Sequence, residues 1–399
     1  MSDRPALIGG QVIFESFLPI FRPALPSYED VRPAVEEMFR TGMLTDGPRV
    51  REFEERLEDH LGVKHAVAVS SCTLGLVLAM QALEVRGEVI VPSFTFMATV
   101  HPVVWNGAVP IFVDVNAENW NIDLASVEAA ISERTSAIVG VHLLGTPAHI
   151  EGLAKIAHRH GLRLLFDSAH GFGALHHGKP LGGNGEAEVF SCTPTKVLPS
   201  ADGGVVATND DEIARRVRVG KNYGNGGNYD SEFVGLNARM TEFNAVVGMR
   251  SLERLENAVL KRNEIVSAYE TRLGSLPGVT FQKVEAHDRS SRKELSLLIE
   301  QGDFGLDRDE LAAGLRAEGI DTRFYYDPPV HTHQAFRDLA TSGEDPLTTT
   351  MEITKKTITI PVYSDMTDEQ AEGVCRAVER LHHHAEQVRE QSRRGALTG

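Results

Sequence analysis

The chain has 399 residues, of which 42% are hydrophobic and 24% charged, as in an ordinary globular protein. Its formal net charge of −16 argues against nucleic acid as a partner and gives no general attraction for anionic ligands, so a bound phosphate would need local donors. Three cysteines are too few for a disulfide framework or a zinc site, and neither a membrane span nor a signal peptide is evident, so we expect a cytoplasmic protein.

Short β-rich runs alternate with helical patterns through the first half of the chain. The runs are HAVAVS (65–70), EVIVPS (88–93), PIFVDV (110–115), SAIVGVH (136–142), LRLLFD (162–167), EVFSC (188–192) and GVVATN (204–209). Several are apolar nearly throughout, as expected of strands that are covered on both faces. The alternation predicts an α/β fold with a mostly parallel sheet and crossover helices. Because ligands bind beyond the carboxyl ends of strands in such sheets, the strand ends are the place to look for a site.

The pattern changes beyond residue 210. A helical start is followed by a loop rich in glycine and asparagine, a long amphipathic helical stretch over residues 241–276, and a shorter β/α region. We therefore predict a large domain over residues 1–260 that includes the N-terminal segment and the connecting helix. A smaller C-terminal α/β domain is predicted over 261–390 and a frayed tail over 391–399.

Polar or aromatic side chains follow the first two strands. The first strand leads through SSCT (70–73) into a helical pattern, which indicates either an ordinary N-cap or a phosphate site at the positive end of the helix. The second strand is followed by Phe94 and Phe96, which either pack in the core or stack on a flat ring. Both interpretations of each segment remain open at this point.

The fifth and sixth strands are followed by ionisable residues. Asp167 ends an apolar strand, where an ionised carboxylate is costly without a cationic partner, and nothing basic lies nearby in sequence. Its partner must come from elsewhere in the fold or from a ligand with a protonated nitrogen. His170 is more typical of a surface residue than of a ligand contact. Lys196 follows the sixth strand, and a lysine in a cleft can have the lowered pKa that Schiff-base chemistry requires.

Together, these strand ends bring hydroxyls, an aromatic ring, an isolated aspartate and a lysine to one edge of the predicted sheet. Pyridoxal phosphate needs such a set: donors for its phosphate, a face against its ring, an acid for its pyridinium nitrogen and an amine for its aldehyde. The combination, more than any one residue, indicates a pyridoxal phosphate site.

The sequence resembles the DegT/StrS-type nucleotide-sugar aminotransferases, a branch of the fold-type I pyridoxal phosphate enzymes. The resemblance is carried by SSCT, EVIVPSFTFMAT with GAVPIFVDV, TSAIVGVHLLG, FDSAHGFGALHHGKPLG, VFSCTPTKVLPSADGGVV and GLNARMTEFNAVVG. It implies a fold-type I aminotransferase-like architecture, with a large, mostly parallel α/β/α sheet domain and a smaller C-terminal α/β domain.

The resemblance also implies roles around the cofactor ring. Lys196 would attach covalently to the cofactor's aldehyde and, once released, move a proton between cofactor and substrate. Asp167 would pair with the pyridinium nitrogen, and Phe96 matches the ring-stacking aromatic. His170 stands near the ring hydroxyl, where the family most often has glutamine.

The resemblance places the phosphate on a second group of residues. Thr73 and the amide of Leu74 match the phosphate loop, and Ser191 matches a phosphate-binding serine. Cys72, in the same loop, stands where glycine or another small residue is usual, and Cys192 stands where an aromatic is usual. Thiols behave as small hydrophobic groups, so both changes are tolerable.

Two further implications concern a second subunit and the substrate. Asn237 matches a residue that reaches the phosphate from the neighbouring subunit, which predicts a homodimer with a shared active site. His142 matches another family position, although a satisfied core histidine is the better interpretation. The candidates for substrate recognition, each equally consistent with a solvated surface, are Lys221, Tyr223, Arg239, Arg323, Tyr325 and His331.

The predicted function is a ping-pong aminotransferase of aminosugar biosynthesis that transfers an amino group from L-glutamate to a nucleotide-linked keto-deoxysugar. A sugar dehydratase of the same fold is one alternative, although such enzymes carry histidine at the position of Lys196. A non-catalytic sensor of cofactor or sugar is another, and the retention of Lys196 and Asp167 argues against it. The run HHH (382–384) predicts no metal site, because consecutive helix positions point about 100° apart.

Overall fold

The computed structural model describes residues 4–339 and 346–396 of the chain. The α-helices in these ranges are α1 (Tyr28–Thr41), α2 (Pro48–Leu61), α3 (Cys72–Ala82), α4 (His101–Trp105), α5 (Leu124–Ala129), α6 (Ile150–His160), α7 (Asp211–Gly220), α8 (Glu242–Leu252), α9 (Leu255–Leu273), α10 (Gln301–Phe304), α11 (Arg308–Ala317), α12 (Thr348–Lys356), α13 (Asp368–His383) and α14 (Ala385–Ala396). The β-strands are β1 (His65–Val69), β2 (Glu88–Pro92), β3 (Val109–Val113), β4 (Thr135–Val141), β5 (Arg163–Ser168), β6 (Leu175–His176), β7 (Lys179–Pro180), β8 (Ala187–Ser191), β9 (Gly204–Thr208), β10 (Val279–Phe281), β11 (Asp288–Arg289), β12 (Leu295–Ile299) and β13 (Thr357–Ile360).

The main sheet has the strand order β1-β9-β8-β5-β4-β2-β3 among the described residues. Strand β9 pairs antiparallel with both of its neighbours, and the other pairs are parallel. The prediction of a mostly parallel sheet is therefore confirmed. The reversed strand follows from its connection, because residues 192–203 join β8 to β9 as a loop without the crossover helix that a parallel neighbour would require.

Two apolar cores cover the two faces of this sheet. Along β5, Leu164 and Phe166 point into one core and Leu165 into the other, as the two-residue period of a strand requires. The first core includes side chains of α2, α6 and α8, and the second those of α3, α4 and α7. Burial on both faces explains why the strands read as continuous apolar runs in the sequence.

A smaller antiparallel sheet, with the order β10-β12-β13, forms the centre of a third core. Helix α9 runs from the first core to the third: Val259 packs in the first core, whereas Ile265 and Tyr269 pack in the third. Helix α9 thus passes from one core to the other between Val259 and Ile265, and the predicted domain boundary at residue 261 lies in this interval. That boundary stays a prediction.

The N-terminal segment lies elsewhere than predicted. We assigned it to the large domain, but Leu18 is buried in the third core, beside the small sheet. Backbone hydrogen bonds join Phe14 N–H to the Glu318 carbonyl (3.1 Å) and Leu18 N–H to the Gly319 carbonyl (2.7 Å). Leu7, Ile13 and Phe14 also pack against this third core, contacts with distant residues that local sequence does not reveal.

Two helical predictions also need correction. The stretch 241–276 forms two helices, α8 and α9, interrupted at Glu253 and Arg254, instead of one long helix. The expected frayed tail is helical as far as Ala396, where α14 ends; residues 397–399 lie outside the described part. No helix among the described residues is long and apolar enough to cross a membrane, and the cytoplasmic location stays a prediction.

Candidate active site

A cavity of about 310 Å³ lies at the carboxyl ends of β1, β2, β5 and β8. Residues that follow or end these strands form one wall, among them Thr73, Thr99 and Ser191. Lys293 and Tyr325, from the C-terminal part of the chain, contribute to the opposite wall. The cavity therefore lies where a doubly covered parallel sheet is expected to bind its ligand.

Asp167 is a buried carboxylate in this cavity that forms no ion pair among the described residues. Its Oδ2 accepts a hydrogen bond from Thr99 Oγ1 (2.7 Å), and its Oδ1 accepts one from the Ala169 N–H (3.0 Å). Burial raises the pKa of Asp167, and these two hydrogen bonds only partly oppose that shift. The two hydrogen bonds hold the carboxylate in a fixed orientation, and no cationic side chain among the described residues pairs with it directly.

Lys196 enters the same cavity from the loop of residues 192–203. A turn fixes the start of this loop, since the Lys196 N–H donates to the Thr193 carbonyl (3.0 Å). Burial, together with the nearby ammonium of Lys293, lowers the pKa of Lys196 to about 8. In the described part of the chain the Lys196 amine forms no ion pair. At pH 7 about a tenth of this amine is therefore neutral and able to act as a nucleophile, far more than for an ordinary lysine.

The start of helix α3 forms another part of the wall. Ser71 is its N-cap, and the Ser71 Oγ accepts a hydrogen bond from the Leu74 N–H (3.2 Å). Ser71 thus caps the helix, and the Leu74 amide that we expected on the phosphate is already paired, whereas the phosphate interpretation of this helix start stays a prediction. Cys72 and Thr73 line the cavity, and their N–H groups are among those that a helix leaves unpaired. Ser191 lies in the same cavity, at the end of β8.

The two phenylalanines after β2 have different environments. Phe94 is buried and meets the ring of Tyr326 edge-on at 5.7 Å between centroids, so it packs in the core. Phe96 lines the cavity, is 51% exposed and lies 6.4 Å from Tyr326. Of these two phenylalanines, Phe96 is therefore the one that a ligand in the cavity can contact.

Two histidines also line the cavity. His170, typical of a surface residue by its sequence context but placed near the cofactor ring by the resemblance, belongs to the cavity wall, and burial together with Lys196 keeps its pKa well below the usual value. His142 is fully buried and stacks on Phe166 at 4.9 Å. The His142 Nδ1 accepts the Ala148 N–H (2.9 Å), and its Nε2 lies 3.5 Å from Glu188. This environment is that of a core histidine.

Sequence reasoning missed a buried ion pair in the cavity wall. Lys293 and Glu294 form a salt bridge with each other, and both are buried among the residues that line the cavity. They directly precede β12, so in the sequence they resemble the polar end of an ordinary strand. They lie beside Lys196 only because the C-terminal part of the chain packs against the carboxyl edge of the large sheet.

The structure contradicts a substrate role for Lys221. This side chain is buried, and its Nζ donates to Asp46 Oδ1 (2.8 Å), Glu54 Oε1 (3.3 Å) and the Ala68 carbonyl (3.1 Å). Three internal acceptors use all three N–H groups of the ammonium. Lys221 therefore holds the fold together and lies outside the cavity wall.

Of the other substrate candidates, Tyr325 lines the cavity. Arg323 pairs with Asp321 at 2.5 Å, and the His331 Nδ1 lies 2.5 Å from the Ser93 Oγ. Neither Arg323 nor His331 contributes to the wall of this cavity.

The remaining candidates lie together on the surface after α7. The guanidinium of Arg239 lies over the Tyr223 ring at 5.7 Å and donates to the Asn237 Oδ1 (3.3 Å). Asn237 is exposed, and none of the three lines the cavity of its own chain. The contacts of these three residues with a ligand stay a prediction.

The chain is similar to known proteins in sequence and in structure over most of its length. The sequence profile of the DegT/DnrJ/EryC1/StrS aminotransferase family matches residues 27–379. A dTDP-4-amino-4,6-dideoxy-D-glucose transaminase of Escherichia coli is 32% identical over 88% of this chain and 95% of its own length. The Bacillus subtilis (strain 168) spore coat polysaccharide biosynthesis protein SpsC is 32% identical over 91% and 96%. The structure of DesI with its TDP-sugar product matches with a TM-score of 0.90 at 34% identity, over 99% of both chains.

Proposed function

Because the chain belongs to the DegT/DnrJ/EryC1/StrS aminotransferase family, as its motifs predict, we propose that it transfers an amino group to a nucleotide-linked keto sugar. The cofactor in this proposal is pyridoxal 5'-phosphate, the amino donor L-glutamate and the acceptor a deoxysugar, in a ping-pong cycle. The dTDP-sugar transaminase and the DesI structure with a TDP-sugar support an acceptor linked to a nucleotide.

The observation that carries the proposal is a pair of buried groups in one cavity. Asp167 is a carboxylate that forms no ion pair in the described part of the chain, and Lys196 is an amine whose pKa is lowered to about 8. A ligand with a protonated ring nitrogen and an aldehyde complements both groups at once. Few other cofactors have this chemistry, so the residues fit pyridoxal phosphate.

The residues divide between the ring and the phosphate of the cofactor. Asp167, oriented by Thr99, would hold the proton on the ring nitrogen, and Phe96 would lie against the ring face. Thr73 and Ser191, with the free N–H groups at the start of α3, would hold the phosphate. No general positive field is required, which agrees with the net charge of −16.

The protein's part in the reaction is orientation and proton transfer. When bound, pyridoxal phosphate supplies an aldehyde that bonds amines and a ring that withdraws electrons from the adjacent carbon. Lys196, as a neutral amine, would take a proton from one carbon and return it to another. His170, which its low pKa keeps neutral, would offer a hydrogen bond to the ring hydroxyl.

We further propose that the working form is a homodimer. Asn237 would reach the phosphate in the partner's cavity, since it is exposed and lies outside the cavity of its own chain. Large apolar side chains on this surface support the proposal: Tyr223 is 51% exposed and Val234 85%. Exposed apolar surface of this kind is typical of a protein interface.

The alternatives are a sugar dehydratase and a sensor. The dehydratases of this fold carry histidine where this chain has Lys196, so the lysine favours amino transfer. A sensor would bind the cofactor without turnover. The three functions give different products from the same mixture, which makes them separable in one experiment.

The test is incubation of the purified protein with pyridoxal phosphate, L-glutamate and a panel of nucleotide-linked keto sugars. We expect a visible absorption band of the bound cofactor that shifts when glutamate is added, and an aminated sugar by mass spectrometry. Lys196→Ala should remove both, whereas Lys179→Ala, at an exposed lysine on β7, should remove neither. Full turnover by Lys196→Ala would refute the mechanism, loss of a sugar hydroxyl without amination would indicate a dehydratase, and a band without turnover would indicate a sensor.

A further inference from the structure

Three histidines and two carboxylates gather at the surface, outside the wall of the cavity described above. His176 ends β6, His177 follows it, and His287 precedes β11; one nitrogen from each lies within 4.8 Å of the others. Glu151 joins them from the first turn of α6, and Asp288 from β11. We call these five residues the histidine cluster.

The contacts within the histidine cluster connect each ring to a carboxylate. The His176 Nε2 lies 2.8 Å from Glu151 Oε1, and its Nδ1 lies 2.7 Å from Asp288 Oδ1. The His177 Nε2 is 3.6 Å from the same Glu151 oxygen, and the His287 Nε2 is 3.7 Å from Asp288 Oδ1. Each of the three imidazoles therefore lies beside a carboxylate oxygen of Glu151 or Asp288.

The backbone at His177 is what brings two successive histidines together. Neighbouring residues of a strand normally point to opposite sides. His177 has a φ of 49°, in the left-handed region that non-glycine residues seldom adopt, and its ring meets that of His176 edge-on at 4.5 Å. The turn thus holds both imidazoles on one side of the hairpin.

We propose that the histidine cluster binds one divalent transition-metal ion, with Zn²⁺ as the matching probe. Imidazole nitrogens are preferred ligands of Zn²⁺, and three of them with one carboxylate oxygen complete a tetrahedral shell. His176, His177 and His287 would supply the nitrogens and Glu151 the oxygen. Asp288 would keep its hydrogen bond to the His176 Nδ1, which leaves the Nε2 free to bind the metal.

Binding requires one ring to turn. His177 and His287 are stacked at 4.2 Å with their planes 9° apart, so their in-plane lone pairs do not converge. Their side chains are 58% and 45% exposed, so rotation meets little resistance from packing. The bound ion would tie α6, the β6–β7 hairpin and β11 together, and Lys293 and Glu294 of the cavity wall lie shortly after β11.

The experiment uses the full-length, cofactor-loaded protein without an affinity tag, freed of metal by a chelator that is then removed. Titration calorimetry with Zn²⁺ should find one site per chain, and saturation should raise the melting temperature. His177→Ala/His287→Ala should weaken binding by at least about tenfold and abolish the thermal shift. The matched control, His382→Ala/His383→Ala in the three-histidine run of α13, should change neither quantity.

Two results would overturn the proposal: no saturable binding by the parent protein, or the same affinity in the His177→Ala/His287→Ala variant. Loss of binding in the α13 control instead would place the ion elsewhere and also refute it. The single variant His177→Gln, which keeps a polar side chain at the turn, separates lost coordination from lost folding and should still weaken binding. Aminotransferase activity is measured in parallel without metal, so failure of this proposal is distinguishable from failure of the proposed function.

Discussion

Asp167 and Lys196 show how burial prepares ionisable side chains for a ligand. Burial raises the pKa of the acid and lowers the pKa of the amine, so both equilibria are shifted towards the neutral forms. Burial of an unpaired charge is unfavourable for the fold. The cavity therefore carries a destabilising feature that a matching ligand would relieve, which is typical of functional sites.

Replacement of Asp167 by asparagine should lower turnover and stabilise the protein without cofactor. Breaking a buried ion pair costs about 3–5 kcal/mol, so turnover should fall by at least about 100-fold. The pKa of Asp167 is raised in the folded state, so its ionised form destabilises the fold at pH values above that pKa. Without cofactor, Asp167→Asn should thus melt higher at pH 7, and the difference should shrink as the pH falls.

The matched control for this prediction is Thr99→Val, which removes one hydrogen bond to Asp167 but keeps the charge. The lost hydrogen bond is worth about 0.5–1.5 kcal/mol, a few-fold to about tenfold in turnover. Turnover and melting temperature are the two measurements. An Asp167→Asn protein that kept its turnover and melted lower at pH 7 would contradict the assigned role.

The buried pair Lys293 and Glu294 should tune Lys196 in opposite directions. Lys293 lowers the pKa of Lys196 and Glu294 raises it. Lys293→Met should therefore raise that pKa above about 8, and Glu294→Gln should lower it. Because the neutral amine takes up the cofactor, the midpoint of the uptake rate against pH should move to higher pH in the first variant and to lower pH in the second. Midpoints that move in the same direction would disprove direct electrostatic coupling.

At the level of elements, the loop of residues 192–203 and the start of α3 depend on a close backbone approach. A methyl group at Gly204, the first residue of β9, would lie 2.5 Å from the Cys72 N and 2.6 Å from the Ser71 carbonyl carbon. These are backbone atoms of the helix start that would hold the phosphate. Glycine at this position lets β9 lie directly against that helix start.

Gly204→Ala should therefore weaken cofactor binding as well as stability. The methyl group forces the start of α3 away from β9, and overpacking of this kind costs about 1–3 kcal/mol. We expect a lower melting temperature and at least about a fivefold larger dissociation constant for pyridoxal phosphate. Gly183→Ala is the control, because its methyl group would meet only side-chain atoms at ordinary contact distances, a nitrogen of Asn209 at 3.4 Å and a methyl group of Val63 at 3.8 Å. Equal cofactor affinity in the two variants would show that the approach at Gly204 does not shape the phosphate site.

At the level of the whole molecule, the proposed dimer predicts that two inactive variants restore activity when their chains are combined in one dimer. Asn237→Asp should abolish activity by placing a carboxylate beside the phosphate, and Lys196→Ala should abolish it by removing the amine. A mixed dimer of the two has one intact site, formed by Lys196 of one chain and Asn237 of the other. Mixing equal amounts under exchange conditions should restore about a quarter of the parent activity, because half of the dimers are mixed and each has one intact site.

The control for this experiment is each variant incubated alone under the same exchange conditions, which should stay inactive. Light scattering should show a dimer throughout. Inactivity of the mixture, with mixed dimers demonstrated by mass spectrometry, would mean that Asn237 does not act in the partner's site.

The sequence by itself determined the main sheet, the family and the centre of the site. Strands covered on both faces appear in the sequence as continuous apolar runs, and the residues after parallel strands meet at one edge of the sheet. Asp167, Lys196 and Ser191 could therefore be brought together from sequence, and the structure places them in one cavity. The antiparallel direction of β9 was not predicted, because residues 192–203 are just long enough for a crossover connection, and only the structure shows that they form a loop without a helix.

The tertiary structure alone decided what depends on contacts between distant segments. The sequence made Lys221 a candidate for substrate binding, but the structure shows that its ammonium donates to three acceptors from distant positions in the chain. In the sequence, Lys293 and Glu294 resemble the polar end of a strand, and only the folded structure shows that they line the cavity. The N-terminal segment packs on residues some three hundred positions away, as the hydrogen bond of the Ala6 N–H to the Glu318 carboxylate shows (2.8 Å). The physical reason is common to all three: burial and pairing of a charged or apolar side chain are properties of the assembled fold, and local sequence carries no record of its partner.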